Sequence, residues 1–264
     1  MDQLSIIVPC YNEEQTVELF YTEVEKMVQY MPDIQTDYLF VDDGSTDRTL
    51  EKVKELHVRD KRVKYISFSR NFGKEAAMYA GLEHVSGEYA VIMDADLQDP
   101  PMLLPEMLRI IREEQYDSVA TRRVTRKGEP PIRSFCARQF YHIMNKISDV
   151  ELMDGARDYR FMTRKYVNAV LSLKEFNRFS KGIFGWVGFR TKWLEFENQE
   201  RSAGETKWSF WKLVQYSLQG IVSFSETPLY MASVLGGGMC GVALLAIIFI
   251  IVRQLLFGGS AFGW

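Results

Sequence analysis

Two aspartates, Asp94 and Asp96, stand two residues apart directly after the short apolar run Tyr89–Met93. Such a run reads as a buried strand. Two carboxylates at a strand's carboxyl end are costly to bury unless positive charge lies between them. A divalent cation fits, because magnesium and manganese take hard oxygen ligands and commonly share them with substrate phosphates. Gln98 and Asp99 add oxygen-bearing side chains, and Pro100-Pro101 fixes the turn and can open a helix. A solvated acidic turn is the competing reading, so the elements that carry the pair have to decide.

Those elements alternate. Apolar runs at Leu4–Val8, Tyr38–Val41, Val63–Phe68, Tyr89–Met93 and Ser118–Thr121 predict strands. Helical spacing over Glu13–Tyr30, Thr46–His57, Gly73–Val85 and Met102–Glu114 predicts helices between them, the second with Ser45 or Thr46 as cap. This order predicts an α/β fold with a mostly parallel sheet covered on both faces. Ligands bind such sheets at the carboxyl ends of the strands, and there the polar residues collect. They are Pro9-Cys-Tyr-Asn-Glu-Glu14, Asp42-Asp-Gly-Ser-Thr-Asp47, Ser69-Arg-Asn-Phe-Gly-Lys74, the Asp94/Asp96 pair and Arg122-Arg123. Five polar loops on one edge predict a pocket. Absence of GxGxxG after the first strand and of GxxxxGK[ST] anywhere argues against a dinucleotide dehydrogenase and a P-loop NTPase.

The 264 residues carry a net charge of −3, which does not indicate a nucleic-acid partner. Cys10, Cys136 and Cys240 lack metal-finger spacing and read as reduced thiols; His57, His84 and His142 are isolated. The first strand begins almost at the N-terminus, so no signal peptide is expected. From Thr227 to Val252 no residue is charged. As a helix that stretch spans roughly 39 Å, against a hydrocarbon core of about 30 Å. It predicts a membrane span, with a buried core helix as the alternative. Gly236-Gly-Gly238 would permit close helix packing and with it a homo-oligomer. The aromatic, Gly-rich end reads as a turn at the membrane surface, which leaves room for a second span beyond it. The stretch around Ile132, Phe135, Phe140 and Ile147, and Lys207–Tyr216 with Trp208 and Trp211, are expected to be amphipathic segments in the membrane surface. The expected division is a catalytic domain over 1–204, a juxtamembrane segment over 205–226, a membrane helix over 227–257 and a short tail over 258–264.

The runs Ser5–Glu14, Val41-Asp-Asp-Gly-Ser-Thr-Asp47, Arg70-Asn-Phe-Gly-Lys74 and Asp94-Ala-Asp-Leu-Gln-Asp99 resemble the family 2, GT-A-type glycosyltransferases. Asp158-Tyr-Arg160 and Arg201–Lys207 add similarity to the subgroup that uses polyisoprenyl phosphates. The resemblance covers nearly the whole chain and implies a GT-A nucleotide-diphospho-sugar transferase fold. It implies that Pro9, Tyr11 and Glu13 line the nucleoside site, that Asp43 faces the base, and that Asp42, Asn71, Lys74, Asp94 and Ala95 complete the donor-nucleotide site. Asp94, Asp96 and Gln98 would surround Mg2+ or Mn2+. Arg122, Arg133, Arg201 and Lys207 would face phosphates, Arg122 and Arg133 that of the lipid, and Asp158 would lie near the transferred sugar. Asp96, Asp158, Arg122, Arg201 and Lys207 are the expected catalytic set.

The residue types suit that chemistry. A departing diphosphate needs its charge stabilised, which a metal and Arg or Lys groups do by preorganised electrostatics. A lipid phosphate monoester, with a second pKa near 6, is largely anionic at neutral pH and needs no general base. The expected activity is inverting transfer of a hexose, with glucose favoured, from a UDP-sugar to undecaprenyl or a related polyprenyl phosphate. The enzyme would sit at the cell membrane with its catalytic domain in the cytoplasm. Alternatives are a family 2 enzyme with a polysaccharide or protein acceptor, and a non-catalytic nucleotide-sugar-binding protein. Asp42 and Asp43 could instead cap the helix starting near Thr46, Asn71 and Lys74 could be loop and helix-start residues, and Arg201 and Lys207 could meet lipid headgroups.

Overall fold

The computed structural model describes residues 2–125, 139–142, 144–148, 150, 152–175, 178–197, 218 and 220–258. Seven strands form one sheet: β1 (Asp2–Cys10), β2 (Ile34–Asp42), β3 (Val63–Ser67), β4 (Tyr89–Ile92), β5 (Ser118–Arg123), β6 (Ala156–Thr163) and β7 (Thr191–Phe196). Their spatial order is β3-β2-β1-β4-β6-β5-β7. Helices α1 (Val17–Val28), α2 (Thr49–Arg59), α3 (Lys74–His84), α4 (Leu104–Glu114), α5 (Arg164–Ser172) and α6 (Ser180–Trp186) accompany it. The sheet is mostly parallel, as its strand–helix alternation requires. Among these strands only β6 runs antiparallel, between β4 and β5.

The period-two pattern of the strands divides the core into two layers. Leu4, Ile6 and Val8 of β1, Tyr38 and Phe40 of β2 and Val91 of β4 pack with Val17, Phe20 and Val24 of α1 and with α4. Ile7, Leu39, Val41, Ala90 and Ile92 point the other way, onto Ala77, Met78 and Leu82 of α3 and Tyr166 and Val167 of α5. Both faces are therefore covered, and only the strand ends remain for polar work.

Three differences from the sequence reading bear on the site. The first helix starts at Val17, not Glu13, because the amides of Glu13 and Glu14 are bonded to Thr49 Oγ1 (2.7 Å) and Asp47 (3.2 Å). The second starts at Thr49, and Asp47 rather than Ser45 or Thr46 accepts its first amide, at 2.9 Å. Strands β6 and β7 and helices α5 and α6 carried no clear apolar periodicity and were not expected. The antiparallel β6 matters most, since its first residues, Ala156-Arg157-Asp158, lie at the edge where its neighbours end.

Helix α7 (Thr227–Phe257) is 31 residues long with no buried residue, and its apolar window has a mean hydropathy of 2.6. It is long and apolar enough to cross a membrane, and it is not a core helix of this chain. Of the first amphipathic stretch, the described part packs on the protein itself. Phe140 stands edge-on to Phe179 at 6.4 Å, and Met144 is fully buried beside it. The second stretch, with Trp208 and Trp211, lies outside the described residues.

Candidate active site

The first two loops are tied to each other. Asn12, in the left-handed region at φ 53°, donates its amide to Ser45 Oγ (2.9 Å) and accepts the Thr46 amide on its side-chain oxygen (2.8 Å). Tyr11 and Glu13 flank it, both half-buried, and Pro9 is buried at the end of β1. Asp42 is buried, accepting the Ser45 amide (3.1 Å) and the Ser67 hydroxyl (3.0 Å). Asp43 is buried and accepts the Phe72 amide (2.7 Å) and the Gly73 amide (2.9 Å). Burial pushes the Asp43 carboxyl above its ordinary value, and those two amides pull it back. Gly44 allows this junction. Its φ is +67°, and a Cβ there would lie 2.4 Å from the Arg70 carbonyl carbon. The loop holding Arg70–Lys74 is thus pinned to the end of β2. Asn71 is exposed on it.

At the end of β4 the partners change from amides to charged side chains. Lys74, the first residue of α3, sends its ammonium between two carboxylates. Nζ lies 2.7 Å from Asp94 Oδ1 and 2.8 Å from Asp94 Oδ2, and it donates as well to Asp158 of β6. Burial alone would lower the Lys74 pKa, but Asp158 and Asp94 raise it well above the usual lysine range. Burial would likewise raise Asp158, yet Lys74 and Lys181 hold it well below the usual carboxylate range. Arg157, also on β6, donates from Nε to Asp99 at 2.7 Å and lies 3.8 Å from Asp94. The Asp99 carboxyl is pushed up to about 6 by its burial, against the pull of Arg157. Asp96 is buried and accepts the Gln98 amide at 3.1 Å across a turn in which Leu97 adopts φ 57°. Ala95 between the two aspartates is buried.

Gly155 sets the start of β6. Its φ is +77°, a Cβ would fall 2.3 Å from the Arg123 carbonyl oxygen, and its own carbonyl accepts the Arg123 amide at 2.9 Å. From there the strand alternates faces. Asp158 and Arg160 point to the α3–α5–α6 side, while Arg157 and Tyr159 point to the α4 side. Arg160 is buried between Phe184 (4.6 Å to the ring centroid) and Trp193 (5.3 Å), and donates to Ser118 and Tyr166. That aromatic enclosure holds β6 against α6 by cation–π attraction.

The structure therefore brings Lys74, Asp94 and Asp158 together, with Asp96 two residues along the same loop. Arg122 is engaged elsewhere: its guanidinium pairs with Glu195 of β7 and donates to Met153 Sδ at 3.2 Å. Arg133, Arg201 and Lys207 lie outside the described residues. Arg157 and Lys181 were missed. Arg157 stands on the same face of the strand as Tyr159 and Phe161, where a charge interrupts the apolar pattern, so no periodic signal marks it. Lys181 sits in a seven-residue helix containing two glycines, with nothing in its spacing to mark it.

Asp94 and Asp96 suit magnesium or manganese: both supply hard oxygen donors from one loop. Among the described residues no group of three His, Cys, Asp or Glu side chains is assembled to enclose a metal. An ion completed by substrate phosphates needs only one or two protein carboxylates, so the donor set fits such an ion.

The profile of glycosyl transferase family 2 matches residues 5–171. CsbB of Bacillus subtilis, a protein named as a glycosyltransferase, is 47% identical over 250 residues, covering 94% of this chain and 74% of that protein. The bactoprenol glucosyl transferase of Shigella phage SfV is 36% identical over 262 residues, covering 99% and 85%. Among solved structures, the mannosyltransferase PcManGT of Pyrobaculum calidifontis, in complex with GDP-Man and Mn2+, shares the fold. Its TM-score is 0.59 at 19% identity, over 84% of this chain and 64% of that one. Glucosyl-3-phosphoglycerate synthase of Mycobacterium tuberculosis, with Mn2+ and UDP-glucose, gives 0.54 at 19% identity, over 83% and 77%. With its strand order, its acidic loop at the end of β4 and these relatives, the chain belongs to glycosyl transferase family 2 and is a glycosyltransferase of the GT-A fold.

Proposed function

We propose that the enzyme transfers a hexose, with glucose favoured, from a UDP-sugar to a polyprenyl phosphate at a membrane surface, with inversion at the anomeric carbon. The observation that carries this reading is the apolar helix α7 on a chain whose catalytic fold matches relatives named bactoprenol glucosyl transferase nearly end to end. A membrane span on a sugar transferase supports a lipid-borne acceptor, whose phosphate lies at the bilayer surface. We place the catalytic domain on the cytoplasmic side of the cell membrane, where UDP-sugars are made.

Asp94 and Asp96 would hold Mg2+ or Mn2+, which when bound neutralises charge on the diphosphate. The chain's own groups do the rest. Pro9, Tyr11 and Glu13 form the wall against which the nucleoside rests. Asp158 stays ionised against Lys74, so it is a weak proton acceptor and suits orienting sugar hydroxyls. The acceptor phosphate is already anionic at neutral pH and attacks without a base. Arg133, Arg201 and Lys207 are further cations for the phosphates.

The test mixes full-length protein in detergent with a panel of nucleotide sugars, Mn2+ and undecaprenyl phosphate, and reads the released nucleotide and the mass of the lipid product. UDP and a hexosyl lipid phosphate are expected. Stoichiometric binding of a UDP-sugar with no UDP released would overturn the reading.

A further inference from the structure

Lys74 is bonded to both oxygens of Asp94 and also to Asp158. A divalent cation held by the Asp94–Asp96 loop would compete for those Asp94 oxygens. An ammonium and a dication cannot both hold them: like charges at such separations repel by several kcal/mol, about 4 per unit-charge pair at 4 Å and an effective dielectric of 20. Of the two cations beside Asp94, only Lys74 is free to yield. Arg157 is fixed by its bond to Asp99, whose side chain is fully enclosed. Lys74 ends a flexible four-carbon stem and already has its second carboxylate in hand.

We propose that Lys74 is an internal counter-ion shared by Asp94 and Asp158, and that occupation of Asp94 by a divalent cation transfers it wholly to Asp158. This rests on the reading that Asp94 binds the cation, and it adds a consequence: the diphosphate end and the sugar end of the site are thermodynamically linked through one side chain. Lys74 is then a positioning residue. In the cation-free protein it holds α3, β4 and β6 together and keeps the two carboxylates from repelling each other. With the cation in place it fixes Asp158 for the sugar. Linkage is reciprocal, so whatever strengthens the Lys74–Asp158 pair also favours cation binding at Asp94.

The idea separates from simple charge repulsion by a double-mutant cycle. Mn2+ binding to the full chain in detergent, with UDP present, is followed by the loss of free-Mn2+ paramagnetic resonance signal. Lys74→Met is expected to tighten Mn2+, because its competitor is gone. Asp158→Asn is expected to weaken Mn2+ by about fivefold or more in the wild-type background, the low end of coupling between sites, because Lys74 then rests wholly on Asp94. In the Lys74→Met background the same Asp158→Asn change is expected to have almost no effect. Lys74→Gln serves in the cycle if the methionine variant does not fold. Equal effects of Asp158→Asn in both backgrounds, or weaker Mn2+ binding in Lys74→Met, would refute the counter-ion role while leaving the metal site standing. Mn2+ binding unchanged by Asp94→Asn would remove the metal site itself, and the inference with it.

Discussion

The two halves of the site meet their carboxylates in opposite ways. At the ends of β1 and β2, Asp42 and Asp43 are answered mainly by backbone amides of neighbouring loops, at 2.7–3.1 Å in the best cases. At the end of β4 and the start of β6, Asp94, Asp99 and Asp158 are answered by the side chains of Lys74 and Arg157. An amide is fixed by the fold and cannot be traded without moving the chain. A lysine can change partners by rotating its stem. The first half is therefore held by the fold itself, whereas in the second half Lys74 is a charge that can change partners.

The largest expected effect lies in the second half. Asp94→Asn should lower turnover by about 10²-fold or more, the scale for losing an electrostatic stabiliser of the transition state. Its thermal midpoint should stay near that of the wild type, because Lys74 keeps Asp158. Steady-state UDP release and a melting curve on the same sample check both. Asp43→Ala should invert that pattern: the Phe72 and Gly73 amides lose the buried carboxylate that accepts them, at a cost of about 1 kcal/mol for each part-buried hydrogen bond lost. A lowered urea midpoint, with residual activity in the fraction still folded, is the expected result. If Asp43→Ala were instead stable and inactive, the division between the halves would be wrong.

Gly44→Ala sharpens the same comparison. It places a Cβ against the Arg70 backbone at positive φ, for a strain of about 1–3 kcal/mol. It should lower stability and also raise KM for the nucleotide sugar, since it moves the loop that carries Lys74. The smallest effect concerns Arg122. Its partner Glu195 is exposed, so breaking the pair should change stability by about 0–1 kcal/mol. If Arg122 serves the lipid phosphate, Arg122→Ala should raise KM for the acceptor while Glu195→Ala should not. Equal behaviour of the two variants would make Arg122 a structural residue only.

The two halves also differ in how openly the sequence shows them. Strands β1 to β5 and helices α1 to α4 follow from apolar runs and helical spacing, because each buries one consistent face. The acidic loop announces itself since Asp94 and Asp96 interrupt such a run. Strand β6 was hidden because Arg157, Asp158 and Arg160 break the apolar pattern, and their burial depends on partners far along the chain: Asp99, Lys74 and the Phe184–Trp193 enclosure. Asp158 entered only through its resemblance to relatives, and Arg157 not at all. Charge pairing over such separations leaves no periodic signal. Asp43 is equally silent in the sequence, as no local pattern reveals that its carboxylate receives the amides of residues 72 and 73.

The central claim is that the Asp94–Asp96 loop receives the cation and the diphosphate together. Crystals of the protein with UDP and Mn2+, measured at the manganese absorption edge, test it directly. An anomalous peak within coordination distance of Asp94 or Asp96 and of the UDP phosphates is the predicted result. UDP bound in the cleft with Lys74 still seated on both Asp94 oxygens and no manganese peak beside it would contradict the claim.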